Sequence, residues 1–302
     1  MPFIVKKLFA EQEQKAFLYL IRELGYRQKE AQRLIAKGRL LCNGKVMSNT
    51  AGMVKGEFEF ICFEPESRGL KPIFQTSDFA LFDKPSGVMV HPQNRHTPYS
   101  MIDEIKHHFG DAANIVHRID QETSGLLLAS KNRESERMLK MMFEERRITK
   151  RYLAMVHGNV SRETKITVPL LRRKDDSAIV RMVVKADEKG KPSETQITPL
   201  KYYQKQNMTL VEAKPLTGRQ HQIRVHLFYI GHPIVGDPIY GQNERDVIRF
   251  LDKEIGPQER IRKSGAKRLL LHASQLEFEL GDIYYFLKSK DEFIKEFFKS
   301  MK

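Results

Sequence analysis

Residues Ile115 to Ser130 read IVHRIDQETSGLLLAS, a polar loop set between two apolar runs. GLLLAS, from Gly125, is a continuous apolar segment of the length of a buried strand, so Asp120 falls in the loop that feeds it. A carboxylate there stands beside Arg118 and near Thr123, Ser124 and Gly125, and the neighbouring cation favours its ionised form. The same residues would also suit an ordinary surface ion pair ahead of a turn, which contributes little to stability. On either side lie further short apolar runs that read as strands: FALFDKP ending at Pro85, RYLAMVHG from Arg151, KITVPL from Lys165, ETQITPLKYY from Glu194 and TLVEAKPL from Thr209. Helical spacing is expected over about 99–109, 134–145 and 218–229. Strands outnumber helices and several follow one another directly, which points to an α+β fold with a mixed sheet rather than a doubly wound one.

A second stretch, KPLTGRQHQIRVHLFYIGHPIVGDPIYG from Lys214 to Gly241, joins a strand to a helix through Thr217-Gly218 and brings Arg219, His221 and Arg224 close together. Ile223, Leu227 and Ile230 recur at helical spacing and face the core. Arg224 is then one step from the apolar stripe, where a guanidinium needs a buried anionic partner, and Asp120 is the natural candidate.

The chain has 302 residues, suggesting two domains at roughly 150 residues each. Lys and Arg number 52 against 38 Asp and Glu, leaving +14 and an isoelectric point near 9.6, so a polyanionic partner is expected. No apolar run approaches the roughly 20 residues of a membrane span, no lipidation motif is present, and the charged amino terminus is unlike a signal peptide. A cytoplasmic protein with no membrane partner is expected. Cys42 and Cys62 lack metal-ligand spacing, and no GxGxxG, GxxxxGK[ST] or HExxH motif occurs. His221 and His226 would stand about 140° apart on a helix and cannot share a metal. Neither a metal nor a cofactor is therefore expected.

Toward the amino terminus, AFLYLIREL and QKEAQRLIAKG have helical periodicity, RLLCNGKVMS reads as two short strands around an Asn43-Gly44 turn, and FEFICF as one more strand. Arg22, Arg27, Lys29, Arg33, Lys37 and Arg39 lie on or beside the two helices, where they either face phosphates or simply face water. This order, carried by LGYRQKEAQRLIAKGRLLCNGKV and VKGEFEFI, resembles the small RNA-binding module of ribosomal protein S-four. The resemblance implies binding of structured RNA through shape and phosphates. EPESRGLKP has the profile of a linker. The expected division is a small α/β RNA-binding module over 1–63, a linker over 64–72 and a catalytic domain over 73–302.

Within that larger domain six strings occur in order: DKPSGVMVHP from Asp83, HRIDQETSG from His117, KRYLAMVHG from Lys150, LTGRQHQIRVH from Leu216, GHPIVGDPIYG from Gly231 and LLHASQLEF from Leu270. Together they resemble the RluA type of pseudouridine synthase, which implies a mixed, mainly antiparallel catalytic sheet and isomerisation of uridine in RNA. The resemblance implies Asp120 as nucleophile, Tyr152 as active-site tyrosine, Arg224 as the carboxylate's basic partner and Arg118 as the residue that fills the gap left by the flipped base. Tyr152 would pack against uracil and accept the C5 proton, directly or through water. Arg219, His221, Lys84 and Arg147 are candidate phosphate or sugar contacts, and Arg22, Arg27, Lys29, Arg33 and Lys37 candidate contacts on the module. The reaction breaks N1–C1′ and forms C5–C1′ with no redox change and no cofactor. Asp120 would either attack covalently or remove a sugar proton, and both routes stay open.

Two departures from the family's pattern stand out: Ile119 in place of the commoner leucine, and no His-Pro pair after LEF. The charged segment 243–265 fits no motif and suits either an insertion touching RNA or a solvated helix and loop. Large-subunit ribosomal RNA is favoured over tRNA as substrate, and a monomer is expected. A catalytically idle RNA-binding or ribosome-assembly factor is the competing reading, although binding alone does not need Asp120, Tyr152 and Arg224 together. A uridine methyltransferase would want a reactive cysteine or a methyl-donor turn, and both cysteines lie in the small module.

Overall fold

In a computed structural model of the chain, residues 2–172, 184–290 and 293–300 are described. They form two compact units, one running to Arg68 and including Pro92–Asp103, the other comprising Gly69–His91 and the residues from Glu104 onward. The small unit runs β1 (Phe3–Lys15), α1 (Ala16–Leu24), α2 (Gln28–Ala36), β2 (Leu40–Cys42), β3 (Lys45–Met47) and β4 (Met53–Phe63). Its sheet has the order β1-β4-β2-β3. Asn43 and Gly44 have φ of 51° and 72°, the left-handed pair that a tight hairpin between β2 and β3 needs. Leu20, Ala31, Ile35, Leu40, Phe58 and Phe60 form the core between the helices and the sheet. The sequence pattern does not announce β1. Its apolar residues come in blocks, Phe3-Ile4-Val5 and Leu8-Phe9-Ala10, and as an outer strand it leaves Val5 and Phe9 exposed, so no alternation appears.

The helix α3 (Met101–Phe109) spans the division between the units. The larger unit contains β5 (Phe74–Gln75), β6 (Phe79–Lys84), β7 (Asn114–Ile115), β8 (Ser124–Ser130), α4 (Arg133–Glu144) and β9 (Thr149–His157). It continues through β10 (Thr164–Ile166), β11 (Leu170–Arg172), β12 (Val184–Ala186), β13 (Thr195–Tyr203), β14 (Met208–Pro215) and α5 (Gln222–Tyr229). Last come α6 (Glu244–Leu251), α7 (Pro257–Ser264), β15 (Leu271–Leu280), β16 (Ile283–Lys288) and α8 (Phe293–Ser300). Ten strands build one sheet, β10-β13-β14-β9-β15-β8-β6-β5, with β16 beside β15 and β7 beside β8. Its neighbours are antiparallel except β8 and β15, which run parallel. The mixed sheet expected from the strand-rich pattern forms, and it is mainly antiparallel, as the family resemblance implies.

β8 is buried along its whole length, which is why GLLLAS shows no alternation. Leu126 and Leu128 pack with Leu139 and Met142 of α4, while Ile223 and Leu227 of α5 pack with Ala154 to Val156 of β9. The parallel contact fixes one glycine. Gly125 pairs with Ala273, has φ of 106°, and a Cβ on it would lie 2.3 Å from the Ala273 carbonyl oxygen. The helix expected from 218 starts only at Gln222. The Gln222 side chain accepts from the Thr217 hydroxyl (2.6 Å) and the Arg219 N–H (3.0 Å), and donates to the Glu194 carbonyl (2.9 Å), so the preceding residues are held in a turn. Segment 243–265 is largely two short helices, joined by a two-pronged Arg249–Glu259 pair at 2.6 and 3.1 Å. Where the His-Pro pair is missing, β15 runs on to Leu280 and returns as β16.

Candidate active site

Asp120 lies on the loop between β7 and β8, and the backbone beyond it is anchored from several sides. The Lys84 ammonium donates to the carbonyls of Pro85 (2.8 Å), Val88 (2.8 Å) and Gln121 (3.0 Å). The Ser86 hydroxyl donates to Glu122 O at 2.6 Å, and the Gly87 N–H to Gln121 O at 2.8 Å. From the far end of the unit, Arg260 of α7 reaches the Glu122 carboxylate at 2.5 Å and the Gly236 carbonyl at 3.1 Å. At the loop's exit, Arg268 donates to the Ser124 hydroxyl at 2.7 Å, and that hydroxyl also bonds His272 Nδ1 at 2.8 Å. His117, stacked on Phe143, accepts the Leu128 N–H through Nε2 at 2.9 Å. A loop tied at this many points holds its carboxylate with little freedom.

Arg224 of α5 is buried and faces two carboxylates. It bonds Asp237 in a two-pronged contact at 2.7 and 2.8 Å, and its Nη1 stands 3.6 Å from the Asp120 carboxylate. The expected partner is therefore the second one, and Asp237 is the tight one. Asp237 also accepts the N–H groups of Ile239 and Tyr240, so it is pinned within its own turn. The two carboxylates raise the Arg224 pKa despite its burial, and the guanidinium stays charged. His221, in the left-handed conformation at φ 53°, completes the cluster. Its Nε2 lies 3.9 Å from Asp120 and its Nδ1 shares a hydrogen bond of 2.8 Å with the Tyr240 hydroxyl. Burial, with Arg224 adding to it, lowers the His221 pKa to about 4, so the imidazole is neutral at pH 7.

These groups sit in a cleft of about 650 Å³ that Arg118, Asp120, Tyr152, Arg219, His221 and Arg224 all line. Tyr152 is placed by β9, between Ala213 of β14 and Ala273 of β15. Burial first, and then Asp120, raises the phenol's pKa well above its usual value, so the hydroxyl stays protonated. Arg118 is exposed on the loop, and Arg219 is partly exposed with its Nε on the Pro192 carbonyl at 3.1 Å.

One expected RNA contact, Lys84, needs correcting, and two others, His221 and Arg147, have protein partners of their own. Lys84 is 1% exposed and spends its donors on backbone carbonyls; burial pulls its pKa down to about 7, with Glu122 and Asp120 opposing. It is a brace for the loop, not a phosphate ligand. His221 is a neutral, buried neighbour of the carboxylate rather than a cationic contact. Arg147 pairs with Glu145 at 2.7 Å, and Arg146 is the residue of that turn that lines the cleft. Arg22, Arg27, Lys29, Arg33 and Lys37 belong to the small unit and are exposed on or beside its helices. Arg39 instead lies over the Phe3 ring at 4.3 Å.

Spacing missed Asp237, Lys150, Arg146 and the Glu122–Arg260 pair, although the first three lie inside or beside the six ordered strings. Asp237 carried a signal of its own: an Asp-Pro turn following the helix of a buried arginine. Among the described residues no set of three or more His, Cys, Asp or Glu side chains converges on a metal-sized point, and no helix is long and apolar enough to cross a membrane.

A carboxylate held beside a buried arginine, at a cleft lined by further cations, is an arrangement suited to an anionic substrate. The family model described as RNA pseudouridylate synthase matches residues 78–228. An uncharacterized RNA pseudouridine synthase of Helicobacter pylori is 36% identical over 290 residues, covering 96% of each chain. Ribosomal large subunit pseudouridine synthase C of Pasteurella multocida is 36% identical over 68% of this chain and 59% of its own. The mitochondrial tRNA pseudouridine(32) synthase of Saccharomyces cerevisiae is 36% identical over 59% of this chain and 38% of its own. Among solved structures, human RNA pseudouridylate synthase domain containing 1 superposes with a TM-score of 0.60 and 26% identity, covering 78% of this chain and 89% of its own. The chain belongs to the RNA pseudouridylate synthase family and is an RNA pseudouridine synthase, an isomerase.

Proposed function

We propose that the enzyme acts on structured RNA, with large-subunit ribosomal RNA ahead of tRNA as its substrate, and that Asp120 is the carboxylate that carries the reaction. The observation that carries this reading is the Asp120 carboxylate itself, about one-fifth exposed in the cleft with the Arg224 guanidinium 3.6 Å away. Arg224 gives two donors to Asp237 and turns a third toward Asp120, which orients the reacting carboxylate. The uridine's N1–C1′ bond breaks, the uracil turns, C5–C1′ forms, the C5 proton leaves and N1 takes up a proton. Asp120 either bonds transiently to substrate or removes a sugar proton during cleavage. Tyr152 supplies the wall against which uracil stacks. The C5 proton leaves through Tyr152, directly or by way of water, and because the phenol is protonated its hydroxyl passes one proton on as it accepts the other.

The target base must leave its stack, at a cost of a few kcal/mol that is least in loops and bulges. Arg118, exposed two residues before Asp120, fills the gap, and Arg219, partly exposed, meets a phosphate. Residues 1–63 act as an RNA-binding module of the ribosomal protein S-four type, joined by 64–72 to a catalytic domain over 73–302. Two helices on a four-stranded sheet with five exposed cations support that role. The substrate preference rests on this module and on the likeness to the large-subunit enzyme, against the yeast tRNA enzyme.

Asp120→Asn is expected to abolish pseudouridine formation while leaving RNA affinity little changed. Pseudouridine maps of total RNA from cells carrying the wild-type or the variant gene, with filter binding of the purified proteins, test both halves. Turnover by the variant would overturn the role of Asp120, and a site missing from tRNA alone would overturn the substrate.

A further inference from the structure

Among the described residues four cations that line the cleft, Arg118, Arg146, Lys150 and Arg219, form no ion pair, and Arg146 and Lys150 are the two for which the sequence suggested no role. Arg146 and Lys150 both line it, and among the described residues neither forms an ion pair, whereas Arg147 next door is held by Glu145. Glu144 also lines the cleft and is exposed, without pairing to either.

The backbone at Arg146 is the first clue. It follows the end of α4 with φ of 61°, in a turn closed by Arg146 N–H on Phe143 O (3.3 Å) and Arg147 N–H on Met142 O (2.9 Å). Glycine takes that conformation without strain, and an L side chain does not. Helices α1 and α7 end in the same conformation with Gly25 and Gly265, and α6 with Lys253, which does not line the cleft. At α4 the chain instead carries a strained arginine whose side chain faces the cleft. Strain of this kind collects where a side chain has a task.

Lys150 is the second clue. It lies two residues before Tyr152 on β9 and therefore on the same face of the strand. Its Nζ is 6.0 Å from the Phe143 ring centroid, and a Cβ on Gly218 would stand 3.8 Å from it, so the ammonium lies against the turn that carries Arg219. Burial, and after it the charge of Arg146, lowers the Lys150 pKa. Two like charges that line one cleft and act on each other are relieved by an anion near both.

We propose that Arg146 and Lys150 form a subsite for a backbone phosphodiester of the RNA strand that carries the target uridine. The inference rests on the cleft being the active site. A phosphodiester fits because it is the anion that RNA presents at every residue, and two cations at one wall beside the uracil-stacking tyrosine meet the strand rather than the base. The subsite positions the strand and takes no part in bond making.

The test uses the full chain with Arg146→Gly and Lys150→Met, and in vitro transcribed large-subunit ribosomal RNA labelled at uridine C5 with tritium. Filter binding gives Kd and tritium release gives kcat and KM, each across a salt series. Each variant is expected to raise Kd and KM roughly tenfold. The slope of log Kd against log salt should fall by about 1 for each phosphate no longer neutralised. Arg146→Gly should match or exceed the wild-type Tm, because glycine relieves the turn while removing the guanidinium. An unchanged salt slope, a loss confined to kcat, or a fall in Tm accounting for the loss would overturn the subsite. A wild-type chain that binds this RNA and releases no tritium would overturn the proposed substrate instead, and the salt slopes of Kd would still decide the subsite.

Discussion

Several histidines of the larger unit are held as neutral imidazoles, His117, His221 and His272 most strongly. Burial lowers His117 to about 3, and His221 and His272 to about 4, with Lys150, Arg224 and Arg268 respectively adding to the effect. In the unfolded chain each takes up its proton near 6.5. As pH falls through 6.5 the unfolded state binds protons that the folded state refuses, so stability drops until the folded values of 3 to 4 are reached. At pH 5 the loss is about 2 kcal/mol per histidine. Urea unfolding at pH 7, 6 and 5 measures it, and His272→Gln should flatten the profile; equal stability at pH 7 and 5 would contradict the neutral burial. The chemistry of single residues was only partly legible in the sequence. Asp120, Tyr152 and Arg224 stand out by type and context, and the structure brings them to one cleft. What spacing cannot show is which acid a buried arginine prefers. Asp237, thirteen residues along the chain, takes the close contact, and Asp120, more than a hundred residues away, takes the longer one.

Helix α7 shows how a segment without a motif acquires a role. Its Arg260 crosses to Glu122, two residues from Asp120, and the two side chains are 14% and 18% exposed. Removing one partner strands the other in a poorly solvated place. Arg260→Ala is therefore expected to cost about 2 to 4 kcal/mol in urea unfolding, and the loss should be smaller when Glu122→Gln is already present. An identical loss in both backgrounds would show that the pair contributes nothing. Elements with strong apolar runs were legible, and β8 and β9 lie where those runs put them. β1 was not, because an outer strand with one exposed face and blocks of apolar residues carries neither period. The start of α5 was not legible either, because side-chain bonds from Gln222 and the left-handed His221 decide it, and neither is a matter of hydrophobic pattern.

The charge of +14 is a property of the entire chain, and part of it is exposed on the helix pair of the small unit. Replacing Arg22, Arg27, Lys29, Arg33 and Lys37 together by Gln should weaken binding to every structured RNA alike and make the salt dependence of Kd shallower, by up to about 1 for each phosphate that a cation no longer meets. Filter binding with ribosomal RNA and tRNA measures this, and an unchanged slope would remove the module from RNA binding. Length, composition and the ordered strings by themselves determined a two-part, strand-rich, basic protein with a carboxylate ahead of a buried strand, because these depend on spacing within one element and on sums over the chain. Only the tertiary structure decided that Lys84 turns inward onto three carbonyls, that Arg146 rather than Arg147 lines the cleft, and that Asp237 holds Arg224. Each depends on segments distant in sequence converging, or on a single left-handed residue that turns neighbouring side chains in different directions, and local periodicity carries neither.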